Sequence, residues 1–569
     1  MRGKITNRIV RFRNDNTAKF EFIVVTFIIV FSEIVLFRNT GVNNALVDFT
    51  YQLENSYRIS VGQVPYRDFF LVLTPGIYYL DAFFLKIFNQ SNMGQVVLLL
   101  LIHLVQILIS YFILKGLTSN KKIQWMGTCV IAFSESIFYP FVVYNTASYD
   151  MMLLCIFYYL KRKNRNSYTG KNAFMLGILL TLPIYFKQNF GLFFMIAFYF
   201  YLITQDVTEK KMQRTIGLFS GTMISGMSFL LFLYLQGVAI SQFIFQTLIF
   251  PGEAKHPGRV ILTNCLAAIE KSIILYGILL LVVALFITYS AFSKKYTQTI
   301  ALSVVIFAFI IFPYLVRLIS GYIPYDNGSI NVNSILWYLL YYLIAFIWLK
   351  DCLFQNQLFS QKSILILSLF LFIFGIFTKR LDGPSWIWVF AIVLMIEQEV
   401  LNNSKPFFIV ALMAMLVWNL YSARTVNLTW IDESGKLYQE TNISSKFFKI
   451  GANGRWIPEI ENLSTYIQDV IGEARFVEMP CEDPIYWASL KTPQLDFFQA
   501  YPETCPYKME DFAEIIDNDG IEYIIVKKNC QFKHYMINED NVNDFIDQIS
   551  ARGYLRIDRF DSYEIYRKE

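Results

Sequence analysis

The chain has 569 residues, of which 55% are hydrophobic and 16% charged, and its mean hydropathy is +0.42. This composition excludes a disordered chain and an ordinary soluble domain. The net charge of +5 hides an asymmetry. Residues 424–569 contain 16 basic and 26 acidic residues, a net of −10, whereas residues 1–423 contain 33 and 18, a net of +15. The charge therefore divides the chain into two units near Ala423.

Long apolar runs recur through residues 1–423 and are typical of transmembrane helices, each of which needs about 20 residues to cross a bilayer. The sequence predicts about 13 spans, so we expect a polytopic α-helical membrane protein. The spans are predicted near 20–37, 94–115, 122–139, 147–160, 171–187, 189–204, 214–236, 262–290, 298–318, 333–349, 363–378, 384–397 and 406–423.

The positions of Lys and Arg predict one orientation in the membrane. The N-terminus is basic, and no small-residue cleavage site follows the first apolar run, so we expect a retained anchor with a cytoplasmic N-terminus. Alternating from there, the inner segments carry 22 basic residues and the outer segments 11. This follows the positive-inside rule. The predicted location is the cytoplasmic membrane, multi-pass, with residues 424–569 outside.

The outer connections are uneven in length, and the first, from 38 to 93, is the longest. Loops of this length are usually functional or disordered, and the aromatic, amphipathic stretch at 66–88 argues against disorder. It predicts short interfacial helices on the membrane surface. A second outer loop, at 236–260, is partly apolar with a Pro/Gly hinge. It is predicted to form either a re-entrant flap or an ordinary surface loop.

Residues 424–569 alternate between helix and strand patterns, which predicts a small α/β domain on the outer side. The predicted strands are "ARFVEMP", "IEYIIVKK", "YLRIDRF" and "YEIYRK". No Gly-rich phosphate loop, zinc spacing or catalytic constellation is present in this part. Cys481 and Cys505 are expected either to form a disulfide or to remain free thiols.

Carboxylates are the best candidates for chemistry, because the three His are scattered and no "HExxH", "GxSxG" or Walker motif is present. Asp48 and Asp68 lie in the first outer loop, and Asp150 lies at the predicted outer mouth of the fourth span. Asp48 shares a predicted helix face with Tyr51 and Gln52. Three carboxylates on one side of the membrane suit a base and its helpers.

Each candidate also has a structural explanation. Asp48 is suited to a helix N-cap or a solvated position, and Asp68 to an ion pair with Arg67 at the lipid headgroups. Lys187, in "YFKQNFG", lies at a span boundary, where a lysine either extends to the interface or binds an anion.

Three stretches resemble a known family. Asp48-x-x-Tyr51 followed by "GQVPYRDF" and "TPGIYYLDAFFLKIF" resembles the first outer loop of bacterial polyprenyl-phosphate-sugar-dependent glycosyltransferases of the C-type superfamily. That superfamily includes the protein O-mannosyltransferases and the aminoarabinose transferases. "YNTASYDMMLLCIFYYL" and "GILLTLPIYFKQNFGL" resemble its fourth span and a later basic stretch. The similarity covers about residues 20–205.

The resemblance implies the C-type glycosyltransferase fold and a role for each matching residue. Asp48 matches the first-loop catalytic acid, Asp68 a later loop acid, Asp150 the acid of the fourth span, and Lys187 the basic residue that follows. One departure is clear. The aminoarabinose enzymes have a Glu-Lys pair before the proline that matches Pro75, whereas this chain has Val72-Leu73-Thr74. A donor-phosphate lysine and a metal-ligating glutamate are therefore missing there, which argues against the metal dependence and the acceptor of that subfamily. The expected cofactor is either none or a divalent metal.

These observations predict two domains, a transmembrane glycosyltransferase unit at 1–423 and an extracytoplasmic α/β domain at 424–569. The expected reaction transfers a hexosyl or pentosyl group from a polyprenyl phosphate to a lipid, glycan or protein acceptor on the outer face, by inverting displacement. Asp48 and Asp68 are the predicted catalytic residues. The predicted substrate-binding residues are Lys187, Asp150, Arg67, Tyr51, Tyr66 and Tyr144.

The sequence also bears on other partners and on two alternative functions. Membrane lipids are expected to surround the spans, and no nucleic acid partner is expected. A flippase or transporter would place ionisable groups near the bilayer midplane, whereas most acids here are predicted at the outer edges, with Glu33 and Glu135 the exceptions. An outer-face polysaccharide polymerase or ligase would also use lipid-linked sugars and remains the closest alternative.

Overall fold

A computed structural model gives the fold of most of the chain outside residues 256–384 and 398–445. The residues described are 2–40, 46–134, 144–164, 168–205, 210–255, 385–397, 409, 412–413, 416, 420, 446–447, 456–479, 483–498, 504–528, 539–560 and 562–569.

The described part of residues 1–423 is helical. Its helices are α1 (Arg2–Asn39), α2 (Leu46–Ser60), α3 (Gly76–Ile87), α4 (Met93–Leu117), α5 (Lys121–Ala132), α6 (Tyr144–Asn164), α7 (Gly170–Phe186), α8 (Gln188–Gln205), α9 (Lys211–Leu235), α10 (Ile240–Ile244), α11 (Phe250–Lys255) and α12 (Ser385–Glu397).

Three of these helices are long and apolar enough to cross a membrane. They are α1, within Lys19–Arg38, α4 and α9, with mean hydropathies of 2.5, 2.6 and 1.8. They confirm the helices predicted at 20–37, 94–115 and 214–236. The apolar α7 and α8 are shorter, and α5 ends at Ala132, well before the predicted limit at 139.

Four other predicted spans cannot be compared with the structure. They are 262–290, 298–318, 333–349 and 363–378, and they lie outside the described residues, as does most of 406–423. The predicted span at 384–397 coincides with α12. The structure is therefore helix-rich with three candidate spans in its described part, and the full number of spans remains a prediction.

Helices α7 and α9 pack closely because glycines remove side chains from their interface. A Cβ added at Gly221 would lie 2.0 Å from the carbonyl oxygen of Phe174, and one added at Gly177 would lie 2.1 Å from that of Leu218. Small residues allow this approach, which brings backbone dipoles and side-chain hydroxyls within reach of each other. Thr181 and Ser225 share a hydrogen bond of 2.6 Å between the same two helices.

The first outer loop contains the helices α2 and α3, as predicted. The two helices differ in their surroundings, because α2 is buried whereas α3 has an exposed side. Every residue from Thr50 to Ser60 is buried, so α2 does not lie open on the membrane surface as a half-exposed helix. Helix α3 buries Ile77 and Leu85 while Phe83 and Ile87 are exposed, as expected for an interfacial helix.

Residues beyond 455 form helices around one four-stranded sheet. The strands β1 (Phe476–Met479), β2 (Tyr523–Lys527), β3 (Tyr554–Phe560) and β4 (Tyr563–Lys568) have the order β1-β2-β4-β3, with β1 and β2 parallel and the other pairs antiparallel. The accompanying helices are α13 (Trp456–Tyr466), α14 (Ile485–Ser489), α15 (Phe512–Asn518) and α16 (Glu539–Ala551). The helix and strand patterns predicted from the sequence are confirmed in this part.

This α/β part packs directly on the first outer loop. The guanidinium of Arg58 donates to the carbonyl oxygens of Leu495 (2.7 Å) and Phe497 (2.8 Å). The indole N–H of Trp487 donates to the carbonyl of Gln90 at 2.8 Å. Side chains from α2 also join the hydrophobic cluster beneath β1 and β2. The covering by the α/β part explains why α2 is buried on all sides.

The close packing of α7 on α9 yields a first prediction. Gly221→Ala should lower the free energy of unfolding by about 1–3 kcal/mol, because the added methyl group meets backbone rather than a movable side chain. The measurement is thermal unfolding of the purified protein in detergent.

The matched control is Gly226→Ala, on the same helix, where an added Cβ has no heavy atom within 4 Å. This control should be neutral or slightly stabilising, because alanine favours helix over glycine. Equal melting temperatures for the two variants would contradict the packing described.

Candidate functional site

The ends of several helices meet at one end of the bundle and form the candidate site. Helix α7 ends at Phe186 and α8 begins at Gln188, so the connection between them is Lys187 alone. The start of α3 lies against this connection, where a Cβ on Gly76 would approach the carbonyl oxygen of Tyr185 to 2.5 Å. Glycine at position 76 thus allows the first outer loop to contact the end of α7.

Lys187 lies at the centre of this junction. Its ammonium is 4.6 Å from the ring centroid of Tyr144 and 3.9 Å from that of Phe190, and it donates a hydrogen bond to the side-chain oxygen of Asn145. The side chain is half-buried. Aromatic faces attract a cation, and an amide oxygen accepts a hydrogen bond from it. The positive charge of Lys187 is therefore held in a fixed position among α6, α7 and α8.

Asp150 lies in α6, next to Tyr149, whose ring stacks on Phe190 at 5.3 Å. The Asp150 side chain is 2% exposed, and neither of its oxygens has a hydrogen-bond partner among the described residues. A buried carboxyl group without a partner is costly. Such a group is suited either to the protonated state or to binding a ligand that brings its own donors.

Gln188 connects three segments at this end of the bundle. Its side-chain N–H groups donate to the carbonyls of Val72 (2.8 Å) and Thr247 (3.0 Å), and its oxygen accepts from the backbone N–H of Thr74 at 3.2 Å. Residues 72–74, where the sequence departs from the aminoarabinose pattern, thus pair with the amide that follows Lys187. Gln188 was not among the predicted site residues, because no sequence pattern indicates these contacts.

The turn at 64–69 holds three of the predicted site residues. Arg67 and Asp68 form a bidentate ion pair at 2.7–2.8 Å, and Asp68 also accepts from the backbone N–H of Val64 at 2.8 Å. The Arg67 guanidinium holds the pKa of Asp68 below its usual range. Arg67 donates in addition to the carbonyl of Gln236, at the end of α9. This pair was the structural alternative considered for Asp68.

Tyr66 is buried rather than open to solvent. Its hydroxyl donates to the carbonyl of Leu73 at 2.6 Å, and its backbone has φ of 68°, which is unusual for an aromatic residue. Tyr144 is half-buried beside Lys187. The structure therefore places Tyr144 beside Lys187, with Asp150 further along α6, and Tyr66, Arg67 and Asp68 at the turn at 64–69.

Asp48 lies in the first turn of α2, and its side chain lies outside the described part of the structure. The residues predicted to share its face are buried. Tyr51 contacts the rings of Tyr78 and Phe498 at 6.4 Å, and Gln52 donates to Asp81 at 3.4 Å. Tyr51 is thus enclosed by the first outer loop and the α/β part.

Three charged residues near α2 are fully buried and were not predicted as site residues: Glu54, Arg58 and Asp81. Burial raises the pKa of Glu54 to about 7 and that of Asp81 to about 6, although Gln95 donates to Asp81 at 2.6 Å. Glu54 accepts from the backbone N–H of Trp487 at 3.2 Å. The available signal was the spacing of Glu54 and Arg58 by four residues, which is equally typical of a solvent-exposed ion pair.

The remaining predictions concern the cysteines, a metal site and the second outer loop. Cys505 is a buried free thiol whose pKa is raised to about 12 by burial, and Cys481 lies outside the described residues. Within the described ranges, no group of three or more His, Cys, Asp or Glu side chains is arranged to hold a metal ion. The second outer loop is helical through α10, a π-helical turn (Phe245–Ile249) and α11.

No protein-family model matches the chain, and no curated protein matches it. Among solved structures, the chain is similar to the arabinofuranosyltransferase AftD from Mycobacteria (9% identity, TM-score 0.45, 95% of this chain and 39% of AftD). It is similar to ArnT from Cupriavidus metallidurans in the apo state (12%, 0.43) and bound to undecaprenyl phosphate (9%, 0.44), each over 95% of this chain and 97% of ArnT. The chain spans about two fifths of the length of AftD.

The raised pKa of Asp81 yields a second prediction. The folded state binds this proton more tightly than the unfolded state, so stability is full below about pH 4 and is lost as the pH rises to about 6. Asp81→Asn removes that loss. From pH 4 to pH 7, the unfolding free energy of the wild type should therefore fall relative to that of the variant, by up to about 3 kcal/mol.

The measurement is thermal or denaturant unfolding across that pH range. Glu510→Gln, at an exposed position that pairs only with the exposed Lys508 in the described structure, is the control and should keep the wild-type slope. A wild-type slope in Asp81→Asn would show that Asp81 does not titrate in this range.

Proposed function

We propose that this chain is a membrane glycosyltransferase that transfers a sugar from a polyprenyl-phosphate donor to an acceptor at the outer face of the cytoplasmic membrane. The observation that best supports it is the cation of Lys187, which Tyr144, Phe190 and Asn145 hold at the end of apolar helices. A cation at the boundary between lipid and water suits a phosphate whose hydrocarbon tail remains in the bilayer.

The leaving group in such a reaction is a lipid phosphate, which gains negative charge as the glycosidic bond breaks. A preorganised positive charge stabilises that developing charge more in the transition state than in the ground state. Lys187 is held by Tyr144, Phe190 and Asn145 and needs little rearrangement to act in this way. Arg67 is a second candidate, although its guanidinium is already paired with Asp68.

The acceptor hydroxyl or amine needs a carboxylate to orient it and to accept its proton, and direct displacement inverts the anomeric centre. Asp48 is the proposed base. The lowered pKa and committed oxygens of Asp68 suit it better to holding Arg67 than to accepting a proton. Asp68 therefore serves as the helper of Asp48. Asp150 is proposed to bind sugar hydroxyls, which bring the donors that its oxygens need.

The proposed topology has a cytoplasmic N-terminus, a transferase unit at 1–423 and an extracytoplasmic α/β domain at 424–569. The ends of α6, α7 and α8 that meet at Lys187, and the end of α9 that contacts Arg67, then face outward. Basic residues at the other ends of these helices, such as Lys163, Lys171 and Lys211, face the cytoplasm, as the positive-inside rule requires. The transferred group is hexosyl or pentosyl, and the acceptor is a lipid, glycan or protein.

The catalytic proposal predicts that Asp48→Asn abolishes transfer, lowering kcat at least 100-fold, because the amide cannot accept a proton. Asp68→Asn should lower kcat less, because Asp68 acts only by holding Arg67. The assay supplies purified protein with polyprenyl-phosphate sugars and membrane acceptors, and measures sugar loss from the donor together with product formation.

Full turnover in both variants would overturn the catalytic assignment, and loss confined to Asp68→Asn would move the base to Asp68. Movement of intact donor across vesicles without loss of sugar would instead identify a flippase. Products that carry several added repeat units per acceptor would identify a polymerase.

The role of Lys187 predicts that Lys187→Met lowers kcat/KM for the donor about 100-fold or more, with partial recovery in Lys187→Arg, because the positive charge at the leaving phosphate is lost and then restored. Lys171→Met, an exposed position near the other end of the same helix, is the control and should behave as wild type. Equal activity of Lys187→Met and wild type would exclude Lys187 from phosphate stabilisation.

A further inference from the structure

A groove beside the turn at 64–69 shares Arg67 with the proposed reaction, but its other polar side chains have no role in that reaction. It has a volume of about 490 Å³ and lies where the turn at 64–69, the second outer loop and the α/β part meet. The side chains that matter for its chemistry are Tyr66, Arg67, Gln242, Phe245, Asp496 and Tyr507. Three separate segments of the chain thus contribute to one opening.

The walls of the groove are joined by hydrogen bonds that fix its shape. Gln246 accepts from the backbone N–H of Leu71 at 2.9 Å and donates to the carbonyl of Tyr66 at 3.2 Å. The backbone N–H of Phe70 donates to the carbonyl of Asp496 at 2.5 Å. This hydrogen bond joins the α/β part to the segment that Gln246 also contacts. The groove is therefore preformed rather than a chance gap between mobile loops.

Two backbone irregularities border the groove. Tyr66 has φ of 68°, and the π-helical turn at Phe245–Ile249 turns both Gln246 and Thr247 inward. Residues in sparsely populated backbone regions and π-helical turns are concentrated at functional sites, where the surrounding contacts hold them. Here the contacts that hold them are the hydrogen bonds of Gln246.

The groove presents unused hydrogen-bonding capacity to solvent. The exposed carboxylate of Asp496 accepts from the Tyr507 hydroxyl at 2.7 Å, which leaves most of its lone pairs open. In the described structure three N–H groups of Arg67 are committed, and two remain. Gln242 is exposed and accepts from Gln246, so its own N–H groups point to no described partner.

The other side of the groove is aromatic and lies next to lipid. Phe245 is 41% exposed, and the same helical segment exposes Ile244, Leu248 and Ile249. Exposed apolar residues on a membrane protein mark the surface in contact with lipid. The groove is thus lined by planar polar groups on one side and by an aromatic face on the other, at the edge of the bilayer.

We propose that this groove binds a saccharide, the sugar part of the acceptor, which deepens the function proposed above and rests on it. Sugars present hydroxyls that pair with carboxylate, amide and guanidinium groups, together with C–H faces that pack on aromatic rings. A simple anion would be repelled by Asp496, and an acyl chain would leave the polar wall unpaired. The acceptor sugar is held by Asp496, Gln242 and Phe245.

The test is photocrosslinking in the full-length protein in its native membranes. Phe245 is replaced by p-benzoylphenylalanine, the membranes are irradiated and digested with protease, and the adduct is labelled by periodate oxidation and hydrazide. A glycan-bearing adduct is expected. Adding Gln242→Ala or Asp496→Ala should reduce the label at least fivefold, whereas Glu510→Ala, at an exposed position that does not line the groove, should leave it unchanged.

A matched position controls for membrane contact. Phe219, on α9, is 59% exposed, and p-benzoylphenylalanine there should capture phospholipid without glycan. An adduct mass with a prenyl or acyl chain identifies a glycolipid acceptor, and one without identifies a soluble glycan. Both support the proposal.

Three results would overturn it: equal glycan label at positions 245 and 219, label unchanged by Asp496→Ala and Gln242→Ala, or an adduct with the mass of the polyprenyl-phosphate sugar itself. Crosslinking needs no turnover, so it is independent of the donor assay. Absence of sugar loss from the donor would refute the glycosyltransferase proposal whatever the crosslink shows. Donor turnover without a glycan adduct would refute the groove alone.

Discussion

The buried guanidinium of Arg58 is the interaction on which the packing of α2 against the α/β part depends. A charged group enclosed by protein is costly unless every side of it is paired, and breaking such pairing costs several kcal/mol. Arg58 finds the carbonyls of Leu495 and Phe497, the ring of Phe69 at 5.4 Å, and the nearby charge of Glu54. Helix α2 therefore reaches its buried position only together with the segment around 495–497 of the α/β part.

Much of the fold follows from local patterns and was predictable for that reason. Apolar runs of about 20 residues give α1, α4 and α9, and short runs rich in aromatic and β-branched residues after position 470 give β1 to β4. Position relative to other elements was not predictable in the same way. The burial of α2 depends on residues more than 400 positions later, and a helix that carries Glu54, Asn55 and Arg58 has the composition of a solvated one.

The site divides along the same line. Lys187 was predictable as a cation at a span boundary, because its sequence position alone puts it near the interface. Its aromatic partners and the triple contact of Gln188 depend on how α6, α8 and the first outer loop meet. Asp81 and Glu54 were missed because burial, which shifts their pKa values, is a tertiary property that no spacing encodes.

Helix α2 also explains how an α/β part without catalytic motifs can affect chemistry elsewhere. Asp48 lies in the first turn of α2, and Arg58 lies ten residues later, about 15 Å along the same helix. Asp496, in the proposed saccharide groove, lies between Leu495 and Phe497, whose carbonyls hold Arg58. If Asp48 is the base, a sugar bound at Asp496 and the base are connected through one short segment and one rigid helix. Binding of the acceptor would then favour the arrangement in which α2 is packed on the α/β part, since segment 495–497 contains Asp496 and also holds Arg58.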